Sequence, residues 1–326
     1  MFDNLVAGLK KRHTTLVFTE GADPRILSAA ARLKREGIAE PLLIGSPEEV
    51  RDTAKGIGAE LADIRIIDPL RYRRMDALAE KMHALRGGKL SLADCRAQLQ
   101  KGNYFGTMLV KMGIADGLLG GATYSTADTV RPALQLIRTK PGASLVSSCF
   151  LLVPKPGSAQ KPLVMADCAI NLHPSAEELA EIAAAAADCA RLFEIDPQIA
   201  FLSYSTKGSG KGPDVDKMRR AAELAKAARP GLAIEGELQF DAAVSPEVAR
   251  TKCPGLPVAG QANTFIFPDI NAGNIGYKIA QRLGGYDAFG PILLGLNAPV
   301  NDLSRGCSAE EVYYMAVITA GLRPGG

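Results

Sequence analysis

Tryptophan is absent from these 326 residues, and histidine occurs only at His13, His83 and His173. Neither sign of charge dominates, since 38 Lys and Arg face 35 Asp and Glu for a formal +3. That balance argues against nucleic acid as the main partner, because a surface that tracks phosphates carries a concentrated basic excess. No run approaches the roughly 18–20 apolar residues that a membrane span needs. The longest uncharged stretch near mid-chain, 141–154, is too short and holds Ser144, Ser147 and Ser148. At the N-terminus, Met1-Phe-Asp-Asn has no basic segment leading into an apolar one, so no secretory signal is read and a cytoplasmic location is expected. Six cysteines (Cys95, Cys149, Cys168, Cys189, Cys253, Cys307) include no CxxC pair, and the histidines lie far apart. The close ligand spacing of zinc and iron–sulfur sites is therefore missing. In a reducing compartment these residues are expected as free thiols, most of them small buried hydrophobes.

What is present suits a globular chain, with 47% hydrophobic and 22% charged residues. Disorder needs few apolar residues and a large charge imbalance, and the length favours two domains or one large one. Short β-branched runs alternate with helical patterns. Thr14–Thr19 reads as a strand, and Pro24 opens a helix to about Arg35. Pro41–Ile44 is a second strand, followed by Ser46-Pro-Glu-Glu as a cap and first turn, and Ile64–Ile67 is a third. After the Pro- and Gly-bearing stretch 154–162, strands are expected at 163–166, 200–203, 232–234 and 264–267. Ser175-x-x-Glu178 is a capping box opening an alanine-rich helix to about Leu192, and further helices fall near 214–228 and 273–283. Such alternation predicts βαβ units around mainly parallel sheets.

Lys207-Gly-Ser-Gly-Lys-Gly212 imitates a phosphate loop, but Gly212 follows Lys211 where Ser or Thr should stand, and Ser205 occupies the first glycine position. It reads as a surface turn. Gly120-Gly-Ala-Thr-Tyr-Ser-Thr-Ala-Asp-Thr-Val-Arg131 is more informative. Glycines leave a strand, Thr123, Ser125 and Thr126 gather hydroxyls, and a helix begins with Arg131 about a turn and a half inside it. Anions bind at such helix starts, although Ser125 or Thr126 could equally be a plain N-cap. Later, a strand ends in Pro268-Asp269 and turns into a helix bearing Arg282, and Ser304-Arg305 sits at a loop tip before another helix.

Three long segments, GELQFDAA (236–243), FIFPDINAGNIGYKIAQRLG (265–284) and NDLSRGCS (301–308), closely resemble the phosphotransacetylase (phosphate acetyltransferase) family. The likeness extends to 121–139 and 165–182 and spans nearly the whole chain, in a short form without an added N-terminal regulatory region. It implies an α/β protein of two α/β domains with a cleft between them, isocitrate/isopropylmalate dehydrogenase-like. Residues 1–145 with 298–326 would form one domain and 146–297 the other. It also implies a homodimer, and reversible acetyl transfer between coenzyme A and inorganic phosphate: acetyl-CoA plus phosphate gives CoA plus acetyl phosphate. Coenzyme A is then a substrate, and no cofactor, metal, nucleic acid or membrane partner is expected.

By this resemblance Ser304 and Arg305 match the active-site Ser-Arg pair. Ser304 would hydrogen-bond in the transition state, while Arg305 would grip phosphoryl oxygens in a fork that lysine cannot reproduce. Glu311 matches the family's catalytic Asp, the base for the CoA thiol. However, Ser308-x-x-Glu311 is also a capping box, glutamate reaches one methylene further, and Glu310 is the neighbouring alternative. Arg86, Arg131 and Arg282 match arginines that bind CoA phosphates and acyl phosphate, with Ser125 and Thr126 beside them. Cys168 matches the family's active-site cysteine and is read as lining the site, since no nearby histidine in sequence would activate it. Direct transfer in a ternary complex is the expected mechanism. The rival readings are a phosphate butyryltransferase or other short-chain acyl-CoA:phosphate transferase, and, from another class, a non-catalytic ligand-sensing module like the phosphotransacetylase-like domain of malic enzymes. Retention of Ser304, Arg305 and an acid at 311 argues against the second.

Overall fold

The computed structural model describes residues 1–61 and 63–323. Its strands are β1 (Thr15–Phe18), β2 (Glu40–Ile44), β3 (Arg65–Ile67), β4 (Gly117–Gly120), β5 (Ser147–Pro154), β6 (Leu163–Ala166), β7 (Gln198–Leu202), β8 (Ala233–Leu238), β9 (Thr264–Ile266), β10 (Tyr286–Leu294) and β11 (Val300–Asp302). The helices of the first half are α1 (Asp3–Leu9), α2 (Pro24–Arg35), α3 (Pro47–Ile57), α4 (Met75–Leu85), α5 (Leu92–Leu99), α6 (Gly102–Lys111) and α7 (Thr126–Pro132). They are followed by α8 (Ala176–Leu192), α9 (Pro213–Ala228), α10 (Phe240–Val244), α11 (Pro246–Lys252), α12 (Ile270–Arg282) and α13 (Ala309–Gly321). The chain divides into two compact units, 1–142 with 296–326, and 143–295.

The first unit is built on a parallel sheet in the order β11-β4-β1-β2-β3. Leu16, Val17, Phe18, Leu42, Leu43 and Leu119 are fully buried, as expected of strands covered by helices on both faces. The chain steps outward from β1 to β3 and then returns to place β4 on the other side of β1. That reversal is a topological switch point, the place where open α/β sheets present ligand-binding loops beyond their strand C-termini. Here those loops are Thr19–Asp23, Gly121–Ser125 and Leu303–Ser308, the last contributed by the C-terminal part of the chain. Helix α13 buries Val312, Met315, Ala316, Val317 and Ile318, and is tied to α2 by a 2.6 Å bond from the Tyr313 hydroxyl to Glu36.

In the second unit the sheet order is β10-β5-β6-β9-β7-β8. Strands β6, β9, β7 and β8 run parallel, while β5 is antiparallel to both β6 and β10. The alanine-rich α8 opens with the expected capping box, in which Ser175 and Glu178 bond reciprocally. Its small residues Ala183, Ala186, Ala187 and Ala190 are fully buried. All six cysteines are buried free thiols.

Expected element positions and observed ones agree closely through both units, because burial on both faces leaves near-continuous apolar strands that end abruptly at Gly and Pro. Two details differ. Ser46 occupies the N-cap of α3, but its side chain makes no capping bond, and the cap rests on Pro47 at the first helical position. Strand β8 runs four residues beyond the expected end at 234, through Glu235 and Glu237, because both carboxylates find cationic partners. Among the described residues no helix is long and apolar enough to cross a membrane.

Candidate active site

The turn after β4 is shaped by a carboxylate beneath it. Glu20 Oε1 accepts from the backbone N–H groups of Gly121 and Thr123, each at 3.0 Å, and Oε2 accepts from the Thr19 hydroxyl at 2.7 Å. Burial raises the Glu20 pKa, and these hydrogen bonds oppose the rise. Gly121 sits at φ +99°, and a Cβ there would collide with the Asp302 carboxylate, so glycine is required both for conformation and for space. Tyr124 shares a 2.6 Å hydrogen bond with Thr19, and burial raises its hydroxyl pKa.

Ser125 is the N-cap of α7, but its hydroxyl makes no capping bond and donates instead to Asp128 Oδ2 at 2.7 Å. Thr126 and Thr129, one turn apart on α7, donate to the two oxygens of Asp302 at 2.6 and 2.5 Å. The helix carries Arg131 in its last turn with the side chain exposed.

Strand β11 delivers the second loop. Ser304, Arg305 and Gly306 are exposed, while Cys307 is buried and its thiol is pushed up to about 11 by that burial. Ser304 Oγ accepts from the Gly306 N–H at 3.3 Å. The loop is gripped from α2. Arg25 Nη1 donates to the carbonyls of Arg305 (2.8 Å) and Cys307 (3.2 Å), and Nη2 donates to that of Ala122 (2.9 Å). Asp23, the N-cap of α2, holds the other edge of the guanidinium with bonds of 2.7 and 3.0 Å. One planar cation thus ties the loop after β11 to the turn after β4, a task suited to arginine's fixed fork of donors.

Glu311 closes a complete capping box at the start of α13. Its N–H donates to Ser308 Oγ at 3.1 Å, and its Oε2 accepts from the Ser308 N–H at 2.6 Å. It is half-buried, beside an exposed Glu310. The same contact that ends the helix holds this carboxylate beside the Ser304–Cys307 loop, and its charge reaches the Cys307 thiol.

Arg86 lies at the C-cap of α4, followed by Gly87 and Gly88 at φ +60° and +71°. Its Nε is a buried donor with no hydrogen-bond partner. Burial raises the Tyr104 hydroxyl pKa, and Arg131 and then Arg86 oppose that rise, so both cations bear on one buried phenol. The Tyr104 hydroxyl itself donates to Gln135 Oε1 at 3.1 Å.

In the second unit, Asp167 and Cys168 leave β6. Asp167 accepts from Ser148 Oγ, from the N–H groups of Ala169 (2.9 Å) and Ile170 (3.2 Å), and from Asn171 Nδ2 (2.6 Å). Cys168 is fully buried, and desolvation, then Asp167, raises its thiol pKa well above the ordinary value. Such a thiol is a poor nucleophile. Gly273 of α12 packs so closely over this turn that a Cβ would meet the Asp167 carbonyl. Tyr277 stacks on Phe150 at 3.8 Å between centroids; burial raises its hydroxyl pKa, Cys168 adds to the rise and Arg282 opposes it. Arg282 is exposed in the last turn of α12. The Lys207–Gly212 loop is a turn bonded to its own acids, with Lys207 Nζ on Glu235 at 3.0 Å and the Gly208 N–H on Glu237 at 2.7 Å.

The first unit therefore brings Ser125, Thr126, Ser304, Arg305 and Glu311 to the same end of one sheet, while Arg86 and Arg131 both act electrostatically on Tyr104. Cys168 and Arg282 share a neighbourhood in the second unit. Sequence reasoning gave no role to Glu20, Arg25, Tyr104, Tyr277 or Asp302. Glu20-Gly-Ala-Asp-Pro-Arg25, an acid and a Pro-marked cap directly after a strand, was the available signal for the first two. Among the described residues, no group of three or more His, Cys, Asp or Glu side chains is arranged to hold a metal.

These features define a two-unit α/β protein with hydroxyl and guanidinium groups collected beyond the strand ends of a parallel sheet. The family model described as "Phosphate acetyl/butaryl transferase" matches residues 1–320. The chain is 47% identical to the phosphate acetyltransferase of Bacillus subtilis (strain 168) over 320 residues, covering 98% of each. A solved phosphotransacetylase from Streptococcus pyogenes superposes with a TM-score of 0.92 at 55% identity, covering 98% of each chain. A Salmonella typhimurium chain named for 4-hydroxythreonine-4-phosphate dehydrogenase shares the fold alone, at 15% identity and a TM-score of 0.55, covering 95% of this chain and 99% of that one. The chain belongs to the phosphate acetyl/butyryl transferase family.

Proposed function

We propose that this protein transfers an acetyl group reversibly between coenzyme A and inorganic phosphate, as a homodimer in the cytoplasm. The observation that carries the reading is the Arg25 bridge. It sets an exposed Ser304-Arg305 pair beside the hydroxyl-bearing turn at the switch point of the sheet. In the forward direction an oxygen of hydrogen phosphate attacks the thioester carbonyl, a C–O bond forms, the C–S bond breaks, and the proton that phosphate gives up ends on the sulfur. Ser304 donates a hydrogen bond to the developing oxyanion. Arg305 holds the phosphate oxygens in a bidentate grip and neutralises their charge. Glu311, with Glu310 as the neighbouring alternative, returns the proton to sulfur, and in reverse it takes the proton from a thiol that is otherwise only a few per cent ionised at neutral pH.

Arg86 and Arg131 bind phosphate groups of CoA, and the unpartnered Nε of Arg86 supports this, since a buried donor without an acceptor is one a ligand can satisfy. Ser125 and Thr126 line the same turn, while Arg282 and Cys168 serve substrate binding from the second unit. The raised thiol pKa of Cys168 supports direct transfer over a cysteinyl acyl-enzyme. For the dimer, the supporting feature is an apolar stripe along α12 and its C-cap, where Ile275, Ile279 and Leu283 are 58%, 54% and 85% exposed. It borders a groove of about 930 Å³ lined by Phe240, Val244 and Ile279. Light scattering should give about twice the mass of one 34.4 kDa chain; a value equal to one chain excludes the dimer.

The test of the activity is CoA release from acetyl-, propionyl- and butyryl-CoA with and without phosphate. Release should require phosphate, yield one acyl phosphate per CoA, and be fastest with acetyl-CoA. One methylene in an apolar pocket discriminates by about 1–3 kcal/mol, so the rates should separate by roughly tenfold or more. Fastest turnover of butyryl-CoA would overturn the acetyl assignment, and phosphate-independent release would overturn the reaction.

A further inference from the structure

We propose that Asp302 is a positioning residue that locks the Arg131-bearing helix to the loop presenting Ser304 and Arg305. The inference rests on the functional reading above and extends it to a residue that touches neither substrate. Asp302 ends β11, two residues before Ser304, and is 1% exposed. Its Oδ2 accepts from Thr126 and its Oδ1 from Thr129, on the first and second turns of α7. The next residue, Leu303, donates its N–H to the Gly120 carbonyl at 2.7 Å, so strand and turn are also joined through the backbone. The site has been left exactly the room it needs for two carboxylate oxygens, because any Cβ on Gly121 would strike Oδ1. A longer Glu at 302 would have no space, and an Asn would replace one acceptor oxygen with a donor facing a hydroxyl that already donates.

Burying this carboxylate beside Glu20 carries a cost. Its pKa is raised to about 6, mainly by desolvation, with the two threonine bonds opposing and Glu20 adding to the rise. The ionisable groups facing it are Glu20 from the end of β1 and Tyr124 from the β4–α7 turn, whose hydroxyl pKa Asp302 helps to raise. The folded pKa lies above the ordinary 3.8, so the native state binds more protons than the unfolded chain between about pH 4 and 6. Stability from this group therefore increases as pH falls through that window and is lost above it. A chain selected for stability alone would not keep an anion here, whereas one that needs two hydroxyls held at once gains from it.

Asp302→Asn, Asp302→Glu and the double variant Thr126→Val/Thr129→Val test the lock. We expect Asp302→Asn at pH 8 to lower kcat about tenfold or more and to raise KM for CoA about threefold or more, since α7 carries Arg131, with KM for phosphate nearly unchanged and the melting temperature no lower than wild type. Asp302→Glu should lose at least as much, which rules out charge alone as the requirement. The threonine double variant should match Asp302→Asn, and combining the two should add little further loss. In wild type, kcat should decline as pH falls below about 6, where protonation withdraws an acceptor; that limb should vanish in Asp302→Asn. Hydrogen exchange gives a readout independent of turnover, since Asp302→Asn should raise exchange in both 126–131 and 303–308. The proposal is overturned if Asp302→Asn keeps kcat within twofold of wild type, or if exchange rises in neither segment or in only one. If wild type releases no CoA but both segments loosen together, the lock stands and the functional reading falls.

Discussion

Arg305→Ala is expected to lower kcat/KM by roughly 150- to 900-fold, with most of the loss in kcat. The Arg305 side chain is exposed at a loop tip, so its removal leaves no cavity and no unpaired buried group, and the fold should melt as before. Its backbone carbonyl remains in the Arg25 fork, which keeps the loop in place. What disappears is the cation that neutralises phosphate while a dianion approaches a carbonyl, an electrostatic contribution of about 3–4 kcal/mol by analogy with single oxyanion donors. Arg305→Lys restores charge without the bidentate geometry, so it should recover only a minor part of the loss. Initial rates over a matrix of both substrates, with circular dichroism melts of each variant, make the measurement. Equal loss of activity and stability would show that the residue is structural.

Arg131→Ala should behave differently, raising KM for CoA about tenfold to thirtyfold, or about 1.4–2 kcal/mol, while kcat changes less. Arg131 is exposed on α7, and both it and Arg86 bear on the Tyr104 hydroxyl, so the two cations contribute a positive field suited to a polyanion. Such a field is screened by salt. Wild-type KM for CoA should therefore climb with ionic strength, and Arg131→Ala should flatten that climb. Arg86→Ala should do the same, and the double variant should lose less than the sum of the two, because each cation contributes to holding the same group of charges. A kcat effect as large as that of Arg305→Ala, with KM unmoved, would transfer Arg131 from binding to the chemical step.

Much of this was legible in the chain. Strands β1, β2 and β6 announce themselves as short apolar runs, and the capping boxes at Ser175 and Ser308 mark the starts of α8 and α13 where the structure has them. The loop tip at Ser304-Arg305 was readable because the pair stands shortly before the Ser308 capping box that opens a helix. What stayed hidden depends on side chains meeting from distant parts of the sequence. Arg25 reaches carbonyls at Ala122 and Arg305, and Asp302 reaches threonines on α7; no local pattern encodes either partner. The double role of Glu311 shows the converse, for the motif that predicts a helix start also predicts an acid beside the loop, and the geometry retains both. The Lys207–Gly212 loop shows why spacing must be checked position by position: the misplaced Gly212 and Ser205 already mark it as a turn, and in the structure Lys207 is engaged by Glu235.

The central claim is that these groups hold both substrates together while the acetyl group passes directly from sulfur to oxygen. Initial rates with both substrates varied, joined to a single-turnover search for acetylated protein, test it most directly. Direct transfer predicts intersecting double-reciprocal lines and no acetyl group on Cys168 at any time point. Parallel lines, or an acetylated Cys168 that forms and decays as fast as turnover, would contradict it.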